Sequence, residues 1–290
     1  MNKMRFVNLI FKMIPDRIAV KMTYKFVTKR KLNLSEPKRF TEKIQWYKLN
    51  YRNPLMTICA DKYKVKSYLS SKGFDDYIIK TYQVLDRIED MNLNLLPQSF
   101  IIKSNNGSGD NIVVRDKRNI NLKEIHETAK KWKSTSTINI GKEWAYKKIK
   151  HKIVIEQFLD DREDNETDLR DYKVLCFHGK AEVVWVDFNR STNHRRNFYT
   201  PQMVLIDIKS DKPNEEKKII SNSKEIEEIL RISEIIAQDF PFVRVDYYIT
   251  KSKKIYLGEI TFYPWSGNIK FEPDSFDFYL GNLLQINCIN

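Results

Sequence analysis

The chain has 290 residues and carries 51 Lys+Arg against 38 Asp+Glu, a formal net charge of +13. Apolar residues make up 41% and aromatics 12%, which supports a packed core and excludes a disordered chain, while 8 Gly and 9 Pro exclude collagen-like and linker-like architectures. No apolar run nears the roughly 18–20 residues that span a bilayer, no secretory signal is expected, and three scattered cysteines (Cys59, Cys176, Cys288) with 4 His and no CxxC suit a reducing cytoplasm and no zinc.

Residues 1–31 hold nine basic side chains (Lys3, Arg5, Lys12, Arg17, Lys21, Lys25, Lys29, Arg30, Lys31) and one acid, Asp16, which is +8 of the +13. Interleaved apolar residues, among them Phe6, Leu9, Ile14, Ile18, Tyr24 and Phe26, predict a helix with apolar and basic faces, broken by Pro15. It is either a basic helix packed on the domain or a docking surface for anionic lipid headgroups or an acidic polymer. Nucleic acid is not expected, because no zinc finger, RNA-recognition signature or basic–aromatic repeat is present.

Residues 35–50 predict a helix with Thr41 as N-cap, and 61–72 a second one, capped by Asp61 and ended by Gly73. A strand at 99–103, the loop SNNGSGDN and a strand at 112–114 follow, then a helix over 121–133 and a strand, IVIEQF, at 153–158 that runs into an acidic loop. YKVLCFH and AEVVWVDF flank Gly179-Lys180 and read as a hairpin. Residues 223–238 have helical spacing with Asn222 as candidate cap, and FVRVDYYI and KIYLGEITF form a last hairpin turning at 250–253. Hairpins rather than strict βαβ alternation predict an α+β fold with antiparallel sheets.

Three constellations can carry chemistry. In the last hairpin, strand alternation places Arg244, Asp246 and Tyr248 on one face, and Ile255, Leu257, Glu259 and Thr261 on one face of the partner strand. The acids can hold a divalent cation and the arginine can meet a phosphate or carboxylate; a surface cross-strand salt bridge is the plainer alternative. Lys103 ends an apolar strand before Gly107 and Gly109, whose loop can present N–H groups to an anion or be a simple turn. Asp171 and Lys173 share a strand face, and Arg190, His194, Arg195 and Arg196 follow the returning strand. No GxSxG, HExxH or kinase signature is present, and Cys176 sits in a core strand pattern.

The tracts FTEKIQWYKL, DKYKV, FIIKSNNGSGDNIVV, IVIEQFL, DYKVLCFHGK, NHRRNFY, FPFVRVDYY and GEITFYPWSG together resemble the TupA-like ATP-grasp family, named for teichuronopeptide biosynthesis. The resemblance implies an ATP-grasp fold with nucleotide held between a central subdomain (74–155) and a C-terminal one (156–290), after a basic helical N-terminal segment (1–73). It implies ATP and Mg²⁺ as cofactors. Lys62 and Lys103 would touch the phosphates, with Asn106, Gly107, Ser108 and Gly109 closing over them. Glu156 would meet the adenine amino group, Gln157 and Phe158 would supply hinge contacts, and Asp171 would lie near the ribose or phosphate. Lys173 and Arg190 would lie near the γ-phosphate, with Arg195 and Arg244 as further catalytic cations. Asp246 and Glu259 would bind Mg²⁺. Thr261 stands where most of the superfamily has Asn, and would bind through water or only shape the site.

The activity implied is a carboxylate–amine ligase working through an acyl phosphate in cell-surface polysaccharide assembly. It would join an amino acid or amino sugar to a uronic acid or similar carboxylate. The expected partners are an acidic polysaccharide or lipid-linked glycan and a small amine. The expected place is the cytoplasm, with peripheral contact at the inner membrane face through residues 1–31. The alternative is a nucleotide-sugar-dependent glycosyltransferase of a capsule or surface polysaccharide pathway, which would also use acids and a metal but has no need of Lys103, the glycine loop and Glu156 together.

Overall fold

The computed structural model describes residues 14–107, 109–134, 141–164, 166–216 and 220–289; basic residues 1–13 and Ser108 lie outside the described residues. In chain order the regular elements are α1 (Asp16–Thr28), α2 (Phe40–Asn50), α3 (Pro54–Ala60), α4 (Val65–Ser71), β1 (Thr81–Leu85), β2 (Phe100–Ser104), β3 (Asn111–Val114), α5 (Leu122–Ser134), α6 (Trp144–Lys147), β4 (Ile153–Gln157), β5 (Asp171–Phe177), β6 (Lys180–Phe188), β7 (Arg195–Tyr199), β8 (Leu205–Ile206), α7 (Lys224–Ala237), β9 (Phe242–Ile249), β10 (Ile255–Thr261) and α8 (Ser275–Leu283). They form two compact units, one of residues 53–159 and one of residues 14–52 with 160–289. Each has its own antiparallel sheet, in the order β1-β4-β2-β3 and β10-β9-β5-β6-β7-β8 respectively. Among the described residues no helix is long and apolar enough to cross a membrane.

In the first unit, alternation along FIIKS buries Phe100 and Ile102 with Ile153, Ile155 and Val114. Helix α5 covers that face with Ile125, Ala129 and Trp132. The opposite face carries Lys103, and the register that pairs Thr81 and Ile101 with Glu156 puts the carboxylate beside it.

In the second unit α7 packs its Ile226, Ile229, Ile232 and Ile236 stripe against the sheet, and Ser233 and Tyr247 join hydroxyls at 2.9 Å. Residues of the other parity on β5, β9 and β10 carry the charge. The β5–β6 turn uses His178 and Gly179, both at positive φ (46° and 84°), as a two-residue hairpin requires.

Several expectations are corrected. Among the described residues, 14–52 and 53–73 fall in different units and not in one N-terminal segment. Residues 14–52 belong with the six-stranded sheet because Phe40 packs its ring edge-on against Phe177 and Phe242 (5.8 and 5.2 Å) and Gln45 and Lys48 donate to the Ser266 carbonyl (3.0 and 2.8 Å). The later division falls after Leu159, because β4 runs to Gln157 within the first sheet. Thr41 is not an N-cap: α2 begins at Phe40, the Glu42 carboxylate accepts the N–H groups of Asn33, Lys38 and Arg39, and Thr41 binds Asp277 instead. Ser223, not Asn222, caps α7 through the Ile226 N–H.

Candidate active site

In the first unit Glu156 is buried and holds two cations, Lys66 at 2.5 Å and Lys103 at 3.0 Å. Lys66 also donates to the Ile79 carbonyl (2.6 Å) and the Thr81 hydroxyl (2.5 Å), which fixes its ammonium. Burial alone would raise the Glu156 carboxyl; Lys103 and then Lys66 outweigh it and hold it below the usual carboxylate range. Burial, ahead of its other neighbours, lowers Lys66. One carboxylate facing two ammoniums leaves a net positive charge on this face, which suits an anion. Lys66 was not expected from the sequence. Its only signal is a position four residues after Lys62, one helical turn on.

The loop after β2 is tied to the same unit. The Lys62 ammonium donates to the Gly107 carbonyl (2.5 Å), the Lys62 N–H to the Asn105 carbonyl (2.9 Å), and the Ser104 hydroxyl to the Asn106 side chain (2.9 Å). A Cβ at Gly107 would lie 2.1 Å from Asp110 Oδ2, so the Asp110 side chain would have to move; Gly109 sits at φ +77°. Beyond Glu156, the Gln157 N–H donates to the Lys80 carbonyl (2.9 Å), and the Arg115 guanidinium lies 4.9 Å from the Phe158 ring. Ser108 lies outside the described residues.

The second unit gathers a larger network. Lys173 Nζ contacts Asp171 and reaches Asp246 Oδ2 at 3.0 Å and Asp187 Oδ2 at 3.9 Å. Arg190 pairs with Asp171. Asp171 Oδ2 thus meets two cations, while its Oδ1 is buried with no hydrogen-bond partner. A buried acceptor of this kind can take a donor from a ligand. Arg244 grips Asp246 with two nitrogens (2.7 and 2.6 Å), and its Nη2 also reaches Glu259 Oε1 (3.3 Å) and Thr261 Oγ1 (3.2 Å). Thr261 donates to Glu259 (2.9 Å). The Arg244 guanidinium lies 4.9 Å from the Trp185 ring. Burial raises the Asp246 carboxyl by more than Arg244 and Lys173 lower it. The Asp171 charge, and then burial, push Tyr248 upward.

Two β-bulges make this face. At the turn, Ile249 opposes Ile255 and Tyr247 opposes Leu257; continued unbroken, that register would set Glu259 against Val245, on the opposite side of the sheet. The ladder shifts by one residue between Leu257 and Glu259, and Glu259 then opposes Asp246. Leu257 therefore shares the buried face of Tyr247 and not that of Glu259, contrary to simple alternation. Gly258 occupies the shift, where a Cβ would lie 2.9 Å from the Tyr248 ring. A second shift between Leu175 and Cys176 sets Asp187 opposite Asp171.

Asp187 extends the network. It binds Arg196 (2.6 Å), His194 (3.0 Å) and the Trp185 indole N–H (3.3 Å). Burial would raise Asp187; His194, Lys173 and Arg196 together drive it well below the usual range. Arg196 continues to Asp211, which also accepts from the Trp265 indole (3.1 Å). Trp265 is held at positive φ (50°), as is Ser266 (55°), and its ring lies 4.2 Å from Trp185. Of the expected cations, Lys173, Arg190 and Arg244 come together here. Arg195 does not: it pairs in register with Phe188, turns to the other face and donates to the Asn214 carbonyl, and Arg196 takes its place.

Asp246, Glu259 and Thr261 all converge on one positive nitrogen, Arg244 Nη2. Two carboxylates and a hydroxyl are hard oxygen donors of the kind that suit Mg²⁺ when phosphate oxygens and water complete its shell. Among the described residues no group of three or more His, Cys, Asp or Glu could hold a metal unaided. The residues therefore fit a magnesium ion carried by a phosphate ligand, and not a free-standing protein metal cage.

A family model described as TupA-like ATPgrasp matches residues 42–285. None of the curated protein sequences matches the chain. Similar solved structures include D-alanine–D-alanine ligase from Bacillus anthracis complexed with ATP (18% identity, 70% of this chain, 55% of that chain, TM-score 0.44). They also include the D-alanine–D-alanine ligase from Coxiella burnetii (14%, 78%, 57%, TM-score 0.43) and a biotin carboxylase–β,γ-ATP complex from Campylobacter jejuni (14%, 70%, 40%, TM-score 0.42). This chain spans roughly half the length of these proteins.

Proposed function

We propose that this chain, which belongs to the TupA-like ATP-grasp family, is an ATP-dependent carboxylate–amine ligase that works through an acyl phosphate. The ATP-grasp superfamily is a class of ligases that form amide or peptide bonds using ATP and Mg²⁺. The observation that carries the reading is the convergence of Asp246, Glu259 and Thr261 on one cationic position beside Lys173.

In this reading Lys62 and Lys103 bind the triphosphate, and Asn106 to Gly109, Ser108 included, cover it. Glu156, Gln157 and Phe158 receive the adenine, with Lys66 holding Glu156 in place. The unpartnered Asp171 Oδ1 accepts from a ribose hydroxyl or a protonated group on the ligand. Asp246 and Glu259 would hold the magnesium, with Thr261 through water; when bound, the ion neutralises phosphate charge. The substrate carboxylate attacks the γ-phosphorus and ADP leaves. Lys173, Arg190 and Arg244 stabilise charge on the transferring group. The amine nitrogen then attacks the acyl carbon, loses a proton and expels phosphate to leave the amide. No side-chain nucleophile is required. Cys176 is consistent with this: burial pushes its thiol well up.

The family supports a uronic acid or similar carboxylate of a surface polysaccharide or lipid-linked glycan as acceptor, and an amino acid or amino sugar as donor. The basic N-terminal segment supports a cytoplasmic protein working on acidic material near the membrane. The test supplies Mg·ATP and uronic acid oligomers with hydroxylamine as the amine. Hydroxamate formed in step with ADP is expected. Transfer from a nucleotide sugar without ADP release would replace the ligase by a glycosyltransferase.

A further inference from the structure

Helix α1 carries two parallel ridges. Residues 17, 21, 25 and 29 are Arg17, Lys21, Lys25 and Lys29, the last at its C-cap, and residues 18, 22 and 26 are Ile18, Met22 and Phe26. At spacing i, i+4 each set lines up along the helix, and the two sets lie side by side. The apolar ridge faces out: Ile18 is 51% exposed, Met22 50% and Phe26 76%. The rotation of the helix is fixed, because Val20 and Tyr24 pack with Leu32, Leu34, Trp46 and Leu49, and the Tyr24 hydroxyl bonds Thr41 at 3.0 Å. Single exposed apolar residues are ordinary on a protein surface. Here four of the twelve exposed large hydrophobic residues among those described, Val27 included, sit on one helix of 13 residues.

We propose that this face of α1 lies on an anionic lipid bilayer, with Ile18, Met22 and Phe26 in the headgroup–acyl boundary and Arg17, Lys21, Lys25 and Lys29 at the phosphates. Charge complementarity selects the occupant. Asp16 is the only acid on the helix, and the basic ridge runs the whole length of the apolar one. Lysine stems reach from an interfacial helix to headgroups. The Lys29 ammonium already lies 4.8 Å from the Phe26 ring, so cation and wedge occupy one patch. A purely polyanionic partner would use the lysines and leave the apolar ridge in water. This inference is independent of the ligase reading, since no residue of α1 takes part in the chemistry.

The test uses the full chain and co-sedimentation with vesicles of phosphatidylcholine alone or with phosphatidylglycerol. Binding only to the anionic vesicles is expected. Lys21→Gln with Lys25→Gln should weaken it roughly 25-fold, at about fivefold per cation near an anionic surface. Met22→Ser with Phe26→Ser should weaken it by at least roughly fivefold and leave a residue that salt abolishes. Absence of binding to anionic vesicles would overturn the inference. So would binding indifferent to Met22→Ser with Phe26→Ser, which would indicate a polyanion site. The same holds if that double variant lowers the melting temperature or splits a dimer without changing vesicle binding, since the ridge would then be covered by this chain or a second copy.

Discussion

The two units bury charge in different balance. On the four-stranded sheet, Glu156 faces Lys66 and Lys103, one negative charge against two positive. On the six-stranded sheet, Asp171, Asp187, Asp246 and Glu259 face Lys173, Arg190, Arg196 and Arg244, four against four, with the exposed Asp211 as a further acid at the outer end beside Arg196. A cluster with spare positive charge is completed by adding an anion. A balanced one is completed by exchange, in which an incoming cation or phosphate takes over partners already present. Loss of one group should therefore cost binding in the first cluster and stability in the second.

The largest effect is expected at the centre of the balanced network. Asp246→Ala leaves Lys173 and Arg244 short of their shared partner, and breaking a buried pair costs about 3–5 kcal/mol. Urea denaturation of the full chain should show that loss; a change below about 1 kcal/mol would mean the network is not holding the sheet face together. Next comes a contrast between neighbours. Arg196→Ala should cost about 3 kcal/mol, because Asp187 and Asp211 lose a buried partner, whereas Arg195→Ala should stay within about 0.5 kcal/mol. Equal effects would erase the distinction between the two faces of β7.

Asp277 is a buried carboxylate whose cations stand farther off than those of Glu156: Arg30 lies 3.6 Å away and Arg39 4.0 Å. It accepts from the Thr41 N–H (3.0 Å) and hydroxyl (2.8 Å), yet burial pushes its carboxyl up to about 6, where the lysines hold Glu156 down. A carboxyl raised in the folded state contributes stability below its unfolded value, near 4, and loses it as pH rises through about 6. Asp277→Asn should therefore gain about 2–3 kcal/mol on the wild type between pH 4 and pH 7. Parallel stability curves for the two proteins across that range would show that Asp277 is not raised. The smallest effect belongs to the unbalanced cluster. Lys103→Ala should weaken ATP binding about tenfold, by removing one charge-assisted contact, and unchanged affinity in calorimetric titration would remove Lys103 from the phosphate site.

Much of this was legible in the residue pattern. Hydrophobic alternation marked nearly all the longer strands, and a lysine closing the apolar run FIIK implied a buried partner, found in Glu156. What escaped was part of the register. Read from its turn at 250–253, the last hairpin sets Glu259 opposite Arg244, on the face it does occupy, whereas the ladder bulged at Gly258 pairs it with Asp246. Read from Gly179-Lys180, the β5–β6 hairpin leaves Asp187 out of line with Asp171, and one extra residue in that ladder corrects it. Gly258 marks one of these shifts, but a strand glycine signals a bulge without saying which way the pairing moves. The same parity separates Arg195 from Arg196. The role of Trp265 was hidden for another reason: its left-handed backbone adjoins Ser266, whose carbonyl accepts from Gln45 and Lys48 on α2, far off in sequence.

The proposed use of ATP with magnesium is tested most directly by thermal unfolding with Mg·ATP against Mg·UDP-glucuronate. At a ligand concentration of about 100 Kd, binding stabilises by about 2.7 kcal/mol, which should raise the melting temperature by roughly 4–5 °C for Mg·ATP and leave it unchanged for Mg·UDP-glucuronate. The reverse pattern, or no shift with ATP at any magnesium concentration, would contradict the account.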